Sequence, residues 1–136
     1  MAAVVVDTSA LICVLNDEAD ALRYKSVLHD ADVIHISVGT AFEASCVVRN
    51  ERFYDGTARL SQLLAALDPD YAVFDEGQML IARTGYVRYG RGSKHPAGLN
   101  MGDCFAYALA KTRNLPLLFK GDDFIHTDIV PALPPA

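Results

Sequence analysis

A chain of 136 residues with 51% hydrophobic and 21% charged side chains is long enough for one domain with a real core, and its balance is ordinarily globular. No apolar run approaches the roughly 18 residues of a membrane span, and no basic segment followed by a longer apolar one opens the chain, so a cytoplasmic protein is expected. Cys13, Cys46 and Cys104 lie far apart without a CxxC pair, which excludes a disulfide framework or zinc knuckle and predicts buried thiols in a reducing compartment.

Val4, Val5 and Val6 form a β-branched run that predicts a buried strand. Asp7 follows at its carboxyl end, the edge where open α/β sheets gather their ligand sites. Thr8 and Ser9 are then placed to cap a helix over 10–16. A second helix is expected over 17–29, and the alternation of 33–37 predicts the second strand, with His35 half-buried in it. Residues 38–50 read as helix, with Ala41, Ala44, Ser45 and Val48 on one side. Glu43 sits among these small and apolar residues, where a charge is costly unless it is paired or binds a cation.

A polar turn at 51–56 leads to an amphipathic helix carrying Leu60, Leu63, Leu64 and Leu67, stopped by Asp68 and Pro69. A short strand is expected over 71–74, a helix over 76–89 and a Gly- and Pro-rich loop over 90–99. Asn100 is placed to cap the next helix, whose first turn holds Asp103. The body of that helix, 104–111, is almost wholly apolar, the mark of a central buried helix. Residues 115–119 are the last strong strand, and a Pro-containing tail follows with one edge strand at Ile129 and Val130. Strands alternating with helices predict a single α/β domain over 1–136, its mostly parallel sheet flanked by helices.

Four acidic positions share a property. Asp7 ends the first strand, Glu43 lies in an apolar helix, Asp103 opens the buried helix, and Asp122 or its neighbour Asp123 follows the last strand. Each has a dull explanation, a cap or a solvated turn. If the sheet is parallel, however, both strand ends point to one edge, and carboxylates gathered there repel each other. A hard divalent cation relieves that repulsion, and an all-oxygen set suits Mg²⁺ or Mn²⁺.

The motifs VVVDTSAL at the start, Glu43 after the second strand, LNMGDCFAYALAK at 99–111 and LLFKGDDFIHTDI at 117–129 resemble, in order and spacing, the PIN domain of the VapC toxins, from residue 4 to about residue 130. That resemblance implies a metal-dependent endoribonuclease, the toxin of a type II toxin–antitoxin pair. It also implies a homodimer and a cognate VapB-type antitoxin whose tail blocks the active site. By position, the metal-site acids are Asp7, Glu43 and Asp103, with Asp122 as the fourth and Asp123 as its alternative. Ser9 or Thr8 is placed to orient Asp7 by hydrogen bonding. Phosphodiester hydrolysis needs an acidified water and a stabilised developing charge, both of which one or two Mg²⁺ ions supply. His95 and His126 lie near the motifs and are read as structural.

Residues 77–102 contain no Asp or Glu but hold Arg83, Arg88, Arg91 and Lys94, with Tyr86, Tyr89 and His95 among them. In a chain of net charge −5 this is a local basic surface, suited to RNA phosphates and stacked bases, or else a solvated helix face with a flexible loop. Apolar positions on the helices up to residue 67, Leu63 and Leu67 among them, exceed what one small core needs and, with the resemblance, predict a two-fold dimer. A rival from another class is a phospho-acceptor signalling domain, whose residue order Asp7, Asp75 and Lys120 imitate, although it leaves Glu43 and Asp103 without a role. A second rival is a PIN domain kept only for protein binding, which the full set of motif acids opposes.

Overall fold

The computed structural model describes residues 2–134. Strands β1 (Ala3–Val6), β2 (Val33–Ser37), β3 (Asp70–Ala72) and β4 (Leu117–Leu118) form one sheet in the order β3-β2-β1-β4, with every pairing parallel. Parallel neighbours cannot be joined by tight turns, so helices carry the chain back each time. Helices α1 (Thr8–Leu15) and α2 (Ala21–Asp30) lead from β1 to β2. Helices α3 (Val38–Val47) and α4 (Gly56–Leu67) lead to β3, and α5 (Glu76–Tyr89) and α6 (Met101–Arg113) lead to β4. The expected α/β architecture is therefore the observed one.

The period-two alternation of β1 splits the core across the sheet. Val4 and Val6 pack with Leu11, Leu28, Ile36 and Leu60, whereas Val5 packs with Leu99, Tyr107, Leu109, Leu117 and Phe124. Helix α6 is buried along its body, from Ala106 to Ala110, as its unbroken apolar sequence predicts. The chain winds outward from β1 through β2 to β3, then returns to place β4 on the other side of β1. The crevice outside the carboxyl ends of β1 and β4 is thus the topological switch point of the sheet.

Several boundaries differ from the sequence expectation for local reasons. Helix α1 starts at Thr8, and its cap is Asp7 rather than Thr8 or Ser9. Helix α2 starts at Ala21, because Asp17 adopts a left-handed backbone (φ 48°) that no helix interior accepts. The tail at Ile129 and Val130 forms no strand; a single parallel bridge joins Pro131 to Leu117, and proline has no N–H with which to extend a ladder. Leu63 and Leu67 are partly buried against the core of their own chain and line an open cleft with Val14, Leu28 and Ile34. Further exposed apolar residues include Val38 and Phe42, one turn apart on α3, and a cleft of about 540 Å³ runs between α5 and α6, lined by Phe74, Met79, Tyr86, Met101 and Phe105. Cys13 and Cys104 are buried, but Cys46 is exposed, against the expectation of three buried thiols. Among the described residues, no helix is long and apolar enough to cross a membrane.

Candidate active site

Asp7 leaves β1 at the switch point and is tied down on one side only. Its Oδ2 accepts the Ser9 amide at 3.1 Å and the Ser9 hydroxyl at 2.6 Å. Ser9 Oγ in turn accepts the Lys120 amide at 3.0 Å, so the chain leaving β4 holds the group that holds Asp7. The other oxygen, Oδ1, is buried with no hydrogen-bond partner among the described residues. A buried anionic oxygen without a donor is costly. Burial accordingly pushes the Asp7 carboxyl up to about 7, against the lowering effect of Ser9, and the charges of Asp103 and Glu43 push the same way.

Glu43 reaches this crevice from α3. Its Oε1 accepts the Thr8 hydroxyl at 2.6 Å, and its carboxylate lies over the backbone of Gly102 at the start of α6. Asp103 sits in the same first turn of α6 as half of a capping box. Its amide donates to Asn100 Oδ1 at 2.9 Å, and its Oδ2 accepts the Asn100 amide at 3.0 Å. Burial raises the Asp103 carboxyl to about 6, with the Asn100 amide opposing, Asp123 and Glu43 adding to the rise and Arg91 reducing it. The charges of Asp103 and Glu43 thus act on Asp7, and those of Asp123 and Glu43 act on Asp103.

Asp122 and Asp123 are both exposed; Asp122 lines a separate cleft with Asp20, Arg23 and Lys120, and the charge of Asp123 acts on Asp103. Sequence alone cannot separate the two neighbours, since either side chain could turn inward from the bend after β4.

A second acidic cluster lies beside the first and was not anticipated. Ligand atoms of Cys13, Glu18 and Asp20 lie within 4.8 Å of one another. The Lys120 ammonium already pairs with Glu18 and lies 3.0 Å from Asp20. Its hydrogen bond holds the Asp20 carboxyl below the usual range, while burial and Asp20 push the Cys13 thiol up to about 11. Lys120 is spent in this network, and Asp75 is spent as the cap of α5, accepting the Gln78 amide at 2.9 Å. Neither is part of the acidic group at the switch point, as a phospho-acceptor site would require.

The basic stretch divides into separate surfaces. Arg83, Arg88, Arg91 and Lys94 are all exposed. Arg91 acts on the acidic centre through Asp103. Arg83 rims the apolar cleft between α5 and α6. Arg88 lies over the Tyr89 ring at 4.8 Å and borders a different cleft with Lys111 and Asp128. Lys94 occupies the loop after α5 with a left-handed backbone (φ 65°). Tyr86 is 40% exposed in the cleft wall rather than in the core, and His95 accepts the Ala97 amide at 3.1 Å, a structural role as expected.

An all-parallel sheet with buried, electrostatically strained carboxylates at its switch point defines a PIN-type acidic domain, and residues 4–130 match the PIN domain family. The chain is 43% identical over 129 residues to Ribonuclease VapC28 of Mycobacterium tuberculosis, covering 95% of this chain and 97% of that protein. It is 43% identical over 126 residues to Ribonuclease VapC30 of the same organism, covering 92% and 95%. Among solved structures, VapC20 of Mycobacterium tuberculosis, a Sarcin-Ricin loop cleaving toxin, superposes with a TM-score of 0.77 at 14% identity, covering 96% of this chain and 99% of that one. VapBC2 from Rickettsia felis, bound to a DNA fragment from its promoter, gives a TM-score of 0.70 at 13% identity, covering 94% and 96%. The chain belongs to the PIN-domain family of VapC ribonucleases.

Proposed function

We propose that this protein is a metal-dependent endoribonuclease, the toxin of a type II toxin–antitoxin pair, with Asp7, Glu43, Asp103 and Asp123 as its metal-site acids. Asp123 takes the place of Asp122 as the proposed fourth acid because its charge is among those that act on Asp103. The observation that carries this reading is the bare, buried Oδ1 of Asp7 among like charges. Such an oxygen is ill-suited to a resting protein and well suited to a cation. Hard oxygen donors fit Mg²⁺ first and Mn²⁺ as a substitute.

When bound, such an ion acidifies a water and stabilises the charge that develops on the phosphate. The chain's own residues do the rest. Ser9 orients Asp7, Asn100 orients Asp103, and Arg91 brings a positive charge to the rim where a phosphodiester would approach. RNA is the substrate class, with Arg91 and Lys94 as its first basic contacts and Arg83 and Arg88 outside the immediate centre. The exposed apolar residues of α3 and the α5–α6 cleft support a two-fold homodimer formed through that face rather than through Leu63 and Leu67. The VapBC2 assembly among the structural neighbours supports a VapB-type antitoxin as partner.

Incubation of total RNA with the purified protein tests the proposal. Cleavage is expected with Mg²⁺, and none with EDTA or with Asp7→Asn. Cleavage that persists in EDTA, or in Asp7→Asn at the wild-type rate, would refute it.

A further inference from the structure

Glu43 is held from two sides by groups that are not acids. Thr8 donates its hydroxyl to Glu43 Oε1 at 2.6 Å; the same hydroxyl lies 3.4 Å from the Thr40 carbonyl, a much longer contact for its single proton. On the other side is Gly102. A Cβ built there falls inside the Glu43 carboxylate, and the three nearest atoms it meets all belong to that group. Gly102 is helical, and unlike Gly92, Gly98 and Gly121 it has no positive φ, so its backbone does not call for glycine. Glycine inside a helix costs up to about 1 kcal/mol relative to alanine. Its value at this position is the space it leaves.

We propose that Thr8 and Gly102 are positioning residues for Glu43. The Thr8 hydroxyl anchors one carboxylate oxygen, and the missing side chain of Gly102 seats the other against the first turn of α6. Consecutive residues of the β1–α1 junction then set two acids at once, Thr8 fixing Glu43 and Ser9 fixing Asp7. Like charges would otherwise splay apart before a cation arrived, and the clamp removes that freedom. The inference rests on Glu43 being a cation ligand, as proposed above.

Four variants test it: Thr8→Val, which keeps the shape and loses the donor; Thr8→Ser, which keeps the donor; Gly102→Ala; and Glu43→Gln as the ligand control. Two quantities are measured, the Glu43 side-chain carboxyl ¹³C resonance in cation-free protein and Mn²⁺ affinity by electron paramagnetic resonance. Thr8→Val and Gly102→Ala are expected to melt close to wild type, because only the end of a flexible side chain must move. Both should shift the Glu43 resonance and weaken Mn²⁺ binding by roughly 10- to 100-fold, the usual effect of losing a group that orients a ligand. Thr8→Ser should restore both quantities. An unmoved Glu43 resonance in Thr8→Val and Gly102→Ala would overturn the clamp whatever the metal does. Wild-type Mn²⁺ affinity in Glu43→Gln would instead overturn the ligand role on which the clamp depends. Should Gly102→Ala fail to fold, the two Thr8 variants decide the question alone.

Discussion

Two acidic clusters stand side by side at the carboxyl edge of this sheet, and they have opposite electrostatics. Around Cys13, Glu18 and Asp20 the protein supplies its own cation, Lys120, and the Asp20 carboxyl lies below its ordinary range. Around Asp7, Glu43, Asp103 and Asp123, Arg91 and the Ser9 and Asn100 hydrogen bonds offer partial relief, and the Asp7 and Asp103 carboxyls still rise to about 7 and about 6. Counting acids would not tell the clusters apart. What separates the two clusters is whether the chain supplies a cation of its own.

The largest expected effect comes from removing a charge from the unrelieved cluster. Asp7→Asn and Asp103→Asn should each lower RNA cleavage by at least about a hundredfold, because each deletes a ligand charge. Asn at 103 keeps an oxygen able to accept the Asn100 amide, so the α6 cap survives. Cation-free Asp7→Asn should melt higher than wild type at pH 7, on the order of 5 °C. Normal cleavage by either variant would erase the distinction between the clusters.

The pH dependence of stability sharpens the same contrast. Asp7 and Asp103 ionise near 3.8 when unfolded but near 7 and 6 when folded. Between those values the folded chain binds more protons than the unfolded one, so the contribution of these groups to cation-free stability falls as pH rises from about 4 to about 7. Mg²⁺ should reverse the fall and release protons on binding. Thermal denaturation from pH 4 to 8 checks this, and in Asp7→Asn the slope should flatten.

Lys120→Met converts the filled cluster into an unfilled one. The lysine side chain is about a third exposed, so solvent screens its pairs, and the loss should be about 1 kcal/mol. Chemical denaturation measures it. A loss above about 3 kcal/mol would mean that Lys120 holds the adjacent Ser9–Asp7 chain as well as its own cluster.

The smallest difference expected is between neighbours. Asp123→Asn should slow cleavage by about tenfold, and Asp122→Asn by less than about twofold. Equal effects would remove the assignment of Asp123 to the centre.

Much of the architecture was legible in sequence because it rests on strong periodic signals. Val4–Val6, the alternation of 33–37 and the unbroken apolar body of α6 each admit one solution, and the placement of Asp7, Glu43 and Asp103 near one another followed from those elements. What was not legible depends on side-chain direction. Asp122 and Asp123 are adjacent in a bend, and only the folded turn decides which one the centre feels. Arg83 and Arg88 are five residues apart on α5 and therefore look in different directions, so an acid-free stretch of sequence became separate surfaces. Lys120 was noticeable only as an imitation of another fold's lysine, since its partners Glu18 and Asp20 lie about a hundred residues away. The cap of α1 is Asp7, one of the roles its place before Thr8 and Ser9 allows.

The loop after α5 is latched at both ends. The Arg91 amide donates to Leu99 O and the Leu99 amide to Tyr89 O, each at 2.9 Å, while Ser93 Oγ donates to Gly90 O at 2.6 Å. Between the latches the residues are mostly exposed, but Ala97 is buried in the core beside α5 and α6, and the His95 ring packs edge-on against Tyr89. The exposed tip of the loop, 91–94, is therefore the part that can be lengthened or recharged to alter what approaches the acids, while Ala97 and Leu99 anchor the rest in the core. A designer could graft a new tip between Gly90 and His95 on the same terms.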